Sequence, residues 1–124
     1  MKQESIIQTQ IVSALSMLAI NHNFLFFSVP NEGFLLAVAE NKMTQRNHAK
    51  LTILKKMGMT PGASDLVIMH RGRAFCMEVK APDGEQSTNQ YLFEEWCGRC
   101  SVPYRVVRSV DEAMQALREW EVIR

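Results

Sequence analysis

Two short apolar stretches separated by a tight turn constrain the fold of this chain more than any other feature. Residues 65–69 and 74–80 are rich in strand-forming side chains, and His70-Arg71-Gly72-Arg73 lies between them. A connection this short, with a glycine inside it, is typical of a hairpin turn. We therefore predict that the two stretches pair as an antiparallel β-hairpin.

The flanking segments predict further helices and strands. Apolar residues recur at helical spacing in the first twenty residues, at Ile7, Ile11, Ala14, Leu15 and Leu18. Residues 24–29 and 104–107 are predicted as strands, and residues 44–57 as a helix, whereas residues 34–39 fit a strand or a helix equally well. Capping boxes that begin at Ser87 and Ser109 open two more helices. The order α-β-α-β-β-α-β-α predicts an α/β fold with a central mixed β-sheet flanked by helices.

Length and composition limit the class of protein. The 124 residues suit a single domain, 1–124, and the 47% apolar and 22% charged residues are ordinary values for a globular protein. No apolar run approaches the roughly 20 residues that span a bilayer, and the first residues lack the apolar core of a signal peptide. Three cysteines, an odd number, favour a reducing compartment. We therefore expect a cytoplasmic protein with no membrane partner.

Charged residues are segregated along the chain, although the formal net charge is only +1. No acidic residue lies between Glu40 and Asp65, which predicts a basic surface. The candidates for contact with nucleic-acid phosphates lie in this interval and in the hairpin turn: Lys42, Arg46, Lys50, Lys55, Lys56, Arg71 and Arg73. An ordinary solvated helix face is the alternative interpretation of the basic run.

The hairpin also places charged residues of opposite sign close together. Glu78 and Lys80 are two residues apart on one strand, so their side chains share a face about 6–7 Å apart. Asp65 opens the partner strand and is expected to lie beside them, because antiparallel strands place start against end. Adjacent carboxylates repel unless a cation compensates, and Mg²⁺ is a usual one. An ion-paired hairpin without a metal remains an equal alternative from spacing alone.

These residues carry a resemblance to a known family. The motifs are Pro61-Gly62-Ala63-Ser64-Asp65, then Glu78-Val79-Lys80, then Gly84, Ser87 and Gln90. In this order and spacing they resemble the VRR-NUC family of the PD-(D/E)XK nuclease superfamily. The resemblance extends from Glu4 and Gln8 to residues 106–109, and it implies a restriction-endonuclease-like core. The family commonly has proline before the aspartate, where this chain has Ser64.

The resemblance implies a role for each matching residue. Asp65 and Glu78 are the expected metal ligands for Mg²⁺ or Mn²⁺, with the backbone carbonyl of Val79 as a further ligand. Lys80 is the expected catalytic lysine. The implied reaction is metal-assisted hydrolysis of a phosphodiester, with in-line attack of water and departure of the 3′-oxygen.

Two further residues have competing interpretations. The resemblance places Gln90 at the catalytic site; the alternative is that a capping glutamine reaches back to the N-cap amide, which would turn it away from a metal. It also makes Glu4 the acid that completes the site, whereas an acid in a first helical turn needs no other role.

The function that the resemblance implies is a metal-dependent, structure-selective DNA endonuclease. Its expected form is a homodimeric Holliday-junction resolvase, since two-fold protein symmetry matches two symmetric cuts in a four-way junction. The candidates for the dimer interface form an apolar run: Phe34, Leu35, Leu36 and Val38. The alternatives are a non-cleaving DNA-binding or assembly module with the same fold, and a flap or single-strand nuclease.

Overall fold

The computed structural model describes residues 3–30 and 45–124, which form four helices and four strands. In chain order these are α1 (Gln3–His22), β1 (Phe24–Ser28), α2 (Gln45–Lys56), β2 (Leu66–His70), β3 (Arg73–Val79), α3 (Thr88–Arg99), β4 (Tyr104–Val107) and α4 (Val110–Glu119). This order agrees with the prediction from the sequence. The ambiguous residues 34–39, and with them the candidate dimer interface, lie outside the described residues.

The four strands form one mixed sheet in the order β1-β2-β3-β4. The pairs β1–β2 and β2–β3 are antiparallel, and β3–β4 is parallel. The predicted α/β class with a central mixed sheet is therefore confirmed. The hairpin turn between β2 and β3 consists of Arg71 and Gly72, which both have positive φ, at 51° and 78°. Two successive positive φ angles give the turn a twist that matches the flanking strands.

The apolar core lies on one face of the sheet, under α1 and α4. Alternation along the strands sends every second side chain to this face. The fully buried members from the sheet are Leu66, Ile68, Phe75, Met77, Val79 and Val107. Ile11 and Leu15 of α1 and Ala113 and Leu117 of α4 cover them. Among the described helices, none is both long enough and apolar enough to cross a membrane.

The opposite face of the sheet carries α3. Phe93 of α3 contacts Tyr104 of β4 with the ring centroids 6.1 Å apart. Since Met77 and Val79 point to the apolar core, alternation directs Glu78 towards α3. The C-terminal end of β3 therefore holds an acidic side chain between the sheet and a helix, which is the position of the candidate site.

Candidate metal centre

The register of the β2–β3 hairpin brings Asp65 to Glu78. Leu66 pairs with Met77, so the residue that precedes Leu66 lies opposite the residue that follows Met77. The Oδ2 atom of Asp65 accepts a hydrogen bond of 2.8 Å from the backbone N–H of Val79. The predicted proximity of the start of one strand to the end of the other is confirmed.

A third carboxylate joins these two from a distant part of the sequence. Glu4, in the first turn of α1, offers an oxygen that lies within 4.8 Å of oxygens from Asp65 and Glu78. Within residues 3–30 and 45–124, this is the one group of three metal-ligating side chains that the fold assembles. Lys80 lies beside it, with Nζ 3.8 Å from Oε2 of Glu78. If all four groups are ionised, one ammonium faces three carboxylates, so the cluster carries excess negative charge.

Glu78 is the most buried member of the cluster, with only 1% of its surface exposed. Its Oε1 atom finds no hydrogen-bond partner among the described residues. Burial, followed by the negative charge and hydrogen bonding of Asp65 and by a smaller effect of Glu4, raises the pKa of Glu78 to about 9, although the ammonium of Lys80 opposes the rise. In the absence of another cation, Glu78 therefore holds a proton at neutral pH. A proton or a bound cation would offset the cost of burying this carboxylate.

Gln90 contacts Glu78 and caps α3 at the same time. The side-chain Oε1 of Gln90 accepts a 2.8 Å hydrogen bond from the backbone N–H of Ser87. The backbone N–H of Gln90 donates in return to the hydroxyl of Ser87 at 3.2 Å. Its Nε2 donates a 2.9 Å hydrogen bond to Oε2 of Glu78. The expectation that a capping glutamine turns away from the site is wrong, because a primary amide accepts at one end and donates at the other.

The loop before Asp65 is fitted tightly to the start of α3. Gly62 has φ of 78°, and a Cβ added to it would lie 2.2 Å from the backbone oxygen of Asn89. This contact fixes the distance between the loop that leads to Asp65 and the turn that carries Gln90. Ser64, which directly precedes Asp65, is fully buried and donates a 3.1 Å hydrogen bond to the carbonyl of Leu66.

Tyr104 lies close to the acidic cluster, although sequence reasoning gave it no role. Burial, followed by the negative charge of Glu78, raises the pKa of its phenol above the usual range, so the phenol stays neutral. Its oxygen accepts a 3.1 Å hydrogen bond from Nε2 of Gln86. The parallel pairing of Tyr104 with Cys76 places the ring on the Glu78 face, and that register cannot be read from the sequence.

The described basic candidates lie on two different elements, α2 and the β2–β3 hairpin. Four of them are exposed on α2: Arg46, Lys50, Lys55 and Lys56. Lys42 lies outside the described residues. Arg71 lies in the hairpin turn and Arg73 begins β3, at the opposite end of that strand from Glu78. The five steps from Arg73 to Glu78 correspond to about 17 Å of strand. Arg73 also lies over the ring of Phe75, 5.0 Å from its centroid.

The arrangement as a whole has the chemistry of a site for a hard cation. Oxygen ligands from Glu4, Asp65 and Glu78 converge, and hard divalent ions prefer oxygen. The ammonium of Lys80 and the amide of Gln90 are the positive and donor groups beside them. Comparison of the chain with protein-family models, curated proteins and solved structures finds no match.

Proposed function

We propose that this protein is a divalent-metal-dependent DNA endonuclease and that the cluster of Glu4, Asp65 and Glu78 is its catalytic centre. One observation carries the proposal, which is the buried Oε1 atom of Glu78 that has no partner among the described residues. A buried carboxylate oxygen without a donor is costly, and the two neighbouring carboxylates increase the cost. A divalent cation would remove both penalties at once.

The residues at this position fit Mg²⁺ or Mn²⁺. Asp65 and Glu78 would hold the ion, with the carbonyl of Val79 and the carboxylate of Glu4 as further oxygen ligands. When bound, the ion would supply neutralising charge and Lewis-acid activation of phosphate and water. The hydrogen bond from the Val79 N–H fixes one oxygen of Asp65, so the orientation of this carboxylate is set before any ligand arrives.

Lys80 and Gln90 have distinct roles in the proposed reaction. Gln90 donates a hydrogen bond to Oε2 of Glu78 and so restricts the rotation of this carboxylate beside the other acids. Lys80 is 8% exposed, and its ammonium lies beside the cluster. There it stabilises the negative charge that develops on a phosphate during attack by water.

The ion-paired hairpin remains a competing interpretation that the structure makes testable. The Lys80–Glu78 pair at 3.8 Å supports it, but one ammonium cannot neutralise the carboxyl groups of Glu4, Asp65 and Glu78 when all three are ionised. A purely structural pair predicts that Glu78→Gln loses stability, because Lys80 is left without its partner, and that the wild-type protein binds no divalent ion. The proposed function predicts that the wild-type protein binds Mn²⁺ and that the variant loses the binding.

The resemblance to the VRR-NUC family supports a more specific form of the proposal. We propose that the substrate is a branched DNA, first of all a four-way junction, and that the protein acts as a homodimer. The apolar run that contains Leu36 is the proposed interface. Light scattering on Leu36→Asp tests it, because an unchanged oligomeric mass would show that the interface lies elsewhere.

A cleavage assay on three labelled substrates tests the function and its selectivity. A four-way junction, a flap and a linear duplex are each incubated with Mg²⁺, Mn²⁺ or EDTA. Paired cuts in the junction that EDTA abolishes support a resolvase, whereas preferential cutting of the flap supports the flap-nuclease alternative. Tight junction binding without cleavage of any substrate would replace the nuclease proposal with a DNA-binding module.

A further inference from the structure

The side chain of Arg108 forms hydrogen bonds to the turn that follows Lys80, the candidate catalytic lysine. Its Nη1 atom donates hydrogen bonds to the carbonyls of Ala81 and Gly84, at 2.7 and 2.6 Å, and lies 3.5 Å from the carbonyl of Pro82. These contacts join segments 24 to 27 residues apart in the sequence. A guanidinium suits this position because it presents several donors in a fixed plane.

The turn 81–84 lies beside the stem of Lys80 and leaves room there for about one methyl group. The turn closes with a 3.0 Å hydrogen bond from the Gly84 N–H to the carbonyl of Ala81. A Cβ on Gly84 would lie 3.7 Å from Cδ of Lys80, which is ordinary van der Waals contact. The turn therefore limits the space in which the Lys80 side chain can move.

Arg108 is itself held by the start of α4. Its backbone N–H donates a 3.0 Å hydrogen bond to Oε1 of Glu112, whose own N–H donates to the Ser109 hydroxyl at 3.1 Å. The neighbouring residue, Val107, accepts a 3.0 Å hydrogen bond from the backbone N–H of Lys80. The main chain of Lys80 and the turn over its side chain are thus both fixed from the end of β4.

We propose that Arg108 is a positioning residue that holds the ammonium of Lys80 at the acidic cluster. It acts through the turn 81–84 and has no contact with the reacting atoms. The kinetic consequence of this inference rests on the proposed nuclease function, whereas the placement of Lys80 can be measured without it. Both Arg108→Gln and Arg108→Lys should loosen the turn, and the lysine variant keeps the charge.

Arg105, which lies on β4 three residues before Arg108, provides a matched control. Its guanidinium pairs with Glu119 and lies 5.9 Å from the centroid of the Trp120 ring, away from the turn. Arg105→Gln therefore removes an arginine from β4 and leaves the hydrogen bonds between Arg108 and the turn 81–84 intact. Circular dichroism and thermal melting establish which variants are folded. If Arg108→Gln does not fold, Arg108→Lys is used in its place.

The first measurement is independent of catalysis. Metal-free protein is reductively methylated with formaldehyde and borohydride, and the rate at Lys80 is followed by mass spectrometry of peptides. In the wild-type protein Lys80 is 8% exposed and should react slowly. We expect a rate at least about fivefold higher at Lys80 in the folded Arg108 variants and no change in Arg105→Gln. Equal rates in all proteins would overturn the inference.

The second measurement is steady-state cleavage of the best DNA substrate. A displaced lysine should lower kcat by about tenfold or more while KM and Mn²⁺ affinity stay within about twofold, because misplacement of a reacting group by about 1 Å is costly. Wild-type kcat in the Arg108 variants would refute the positioning role. If the wild-type protein cuts no DNA, the nuclease proposal fails, and the methylation rates alone decide whether Arg108 places Lys80.

Discussion

Binding of a divalent metal to this protein should release close to one proton at neutral pH. Burial and neighbouring carboxylates raise the pKa of Glu78 to about 9, so the metal-free side chain is protonated at pH 7. A carboxylate must lose its proton to become a ligand. With a pKa about two units above the working pH, only about 1% of Glu78 is ionised, and deprotonation costs about 2.7 kcal/mol of binding free energy.

This cost makes the metal affinity depend steeply on pH. Each unit of pH below 9 removes about 1.4 kcal/mol from the free energy of metal binding. As pH increases, the association constant for Mn²⁺ should therefore rise about tenfold per unit, and about a hundredfold from pH 6 to pH 8. Isothermal titration calorimetry in buffers of different ionisation enthalpy measures both the constant and the number of protons released. The experiment needs no DNA and no catalytic turnover.

Glu78→Gln is the matched control for the titration. It keeps the size of the side chain and resembles the neutral form, but it has no proton to release and one ligand oxygen fewer. We expect much weaker binding of Mn²⁺ and no proton release from this position. Tight binding by the wild-type protein that releases no proton and does not vary with pH would refute the assignment of Glu78 as a protonated ligand.

Three further predictions concern Glu78 in the metal-free protein, Gln90 at the start of α3, and the contact of Gly62 with α3. The pKa of Glu78 in the folded protein lies above its unfolded value of 4.5, so folding favours the protonated side chain. The free energy of unfolding relative to Glu78→Gln should therefore be greatest at low pH and fall by up to about 1.4 kcal/mol per pH unit as pH rises towards 9, as measured by urea denaturation. Gln90→Glu keeps the oxygen that caps α3 but loses the N–H that donates to Glu78, so the rate of cleavage should fall about tenfold at unchanged helix content. An unchanged rate would exclude a role for Gln90 in the reaction. Gly62→Ala should lower the melting temperature more than Gly72→Ala, since both glycines have φ of 78° but only Gly62 would clash with Asn89, and equal shifts would show that the contact is unimportant.

The central pair of the site could be predicted from the sequence because it depends on local rules. Alternation along a strand placed Glu78 and Lys80 on one face, and the short turn fixed an antiparallel partner that begins next to Asp65. The predicted capping boxes at Ser87 and Ser109 likewise gave the starts of two helices, and both serine hydroxyls accept the expected backbone hydrogen bond. Only Ser87 has the complete box, because the carboxylate of Glu112 accepts from the backbone N–H of Arg108 and not from that of Ser109.

The remainder of the site depends on tertiary placement that local rules do not determine. The role of Gln90 depends on how α3 lies over β3, and Gly62 resembles any loop glycine until its contact with Asn89 is known. Arg108 reaches a turn 24 to 27 residues away, and its side chain carries no sequence signal for that contact. Lys42 and the apolar run around Leu36 lie outside the described residues, so their predicted roles stay predictions.

Single-turnover cleavage of a labelled four-way junction tests the central claim most directly. Wild-type protein and Glu78→Gln are compared at saturating enzyme in Mg²⁺ and in EDTA, with Lys80→Ala alongside them. The account predicts paired cuts by the wild-type protein that require Mg²⁺, and rates lowered by at least about a hundredfold in both variants. Equal cleavage by the wild-type protein and Glu78→Gln, or cleavage that persists in EDTA, would contradict it.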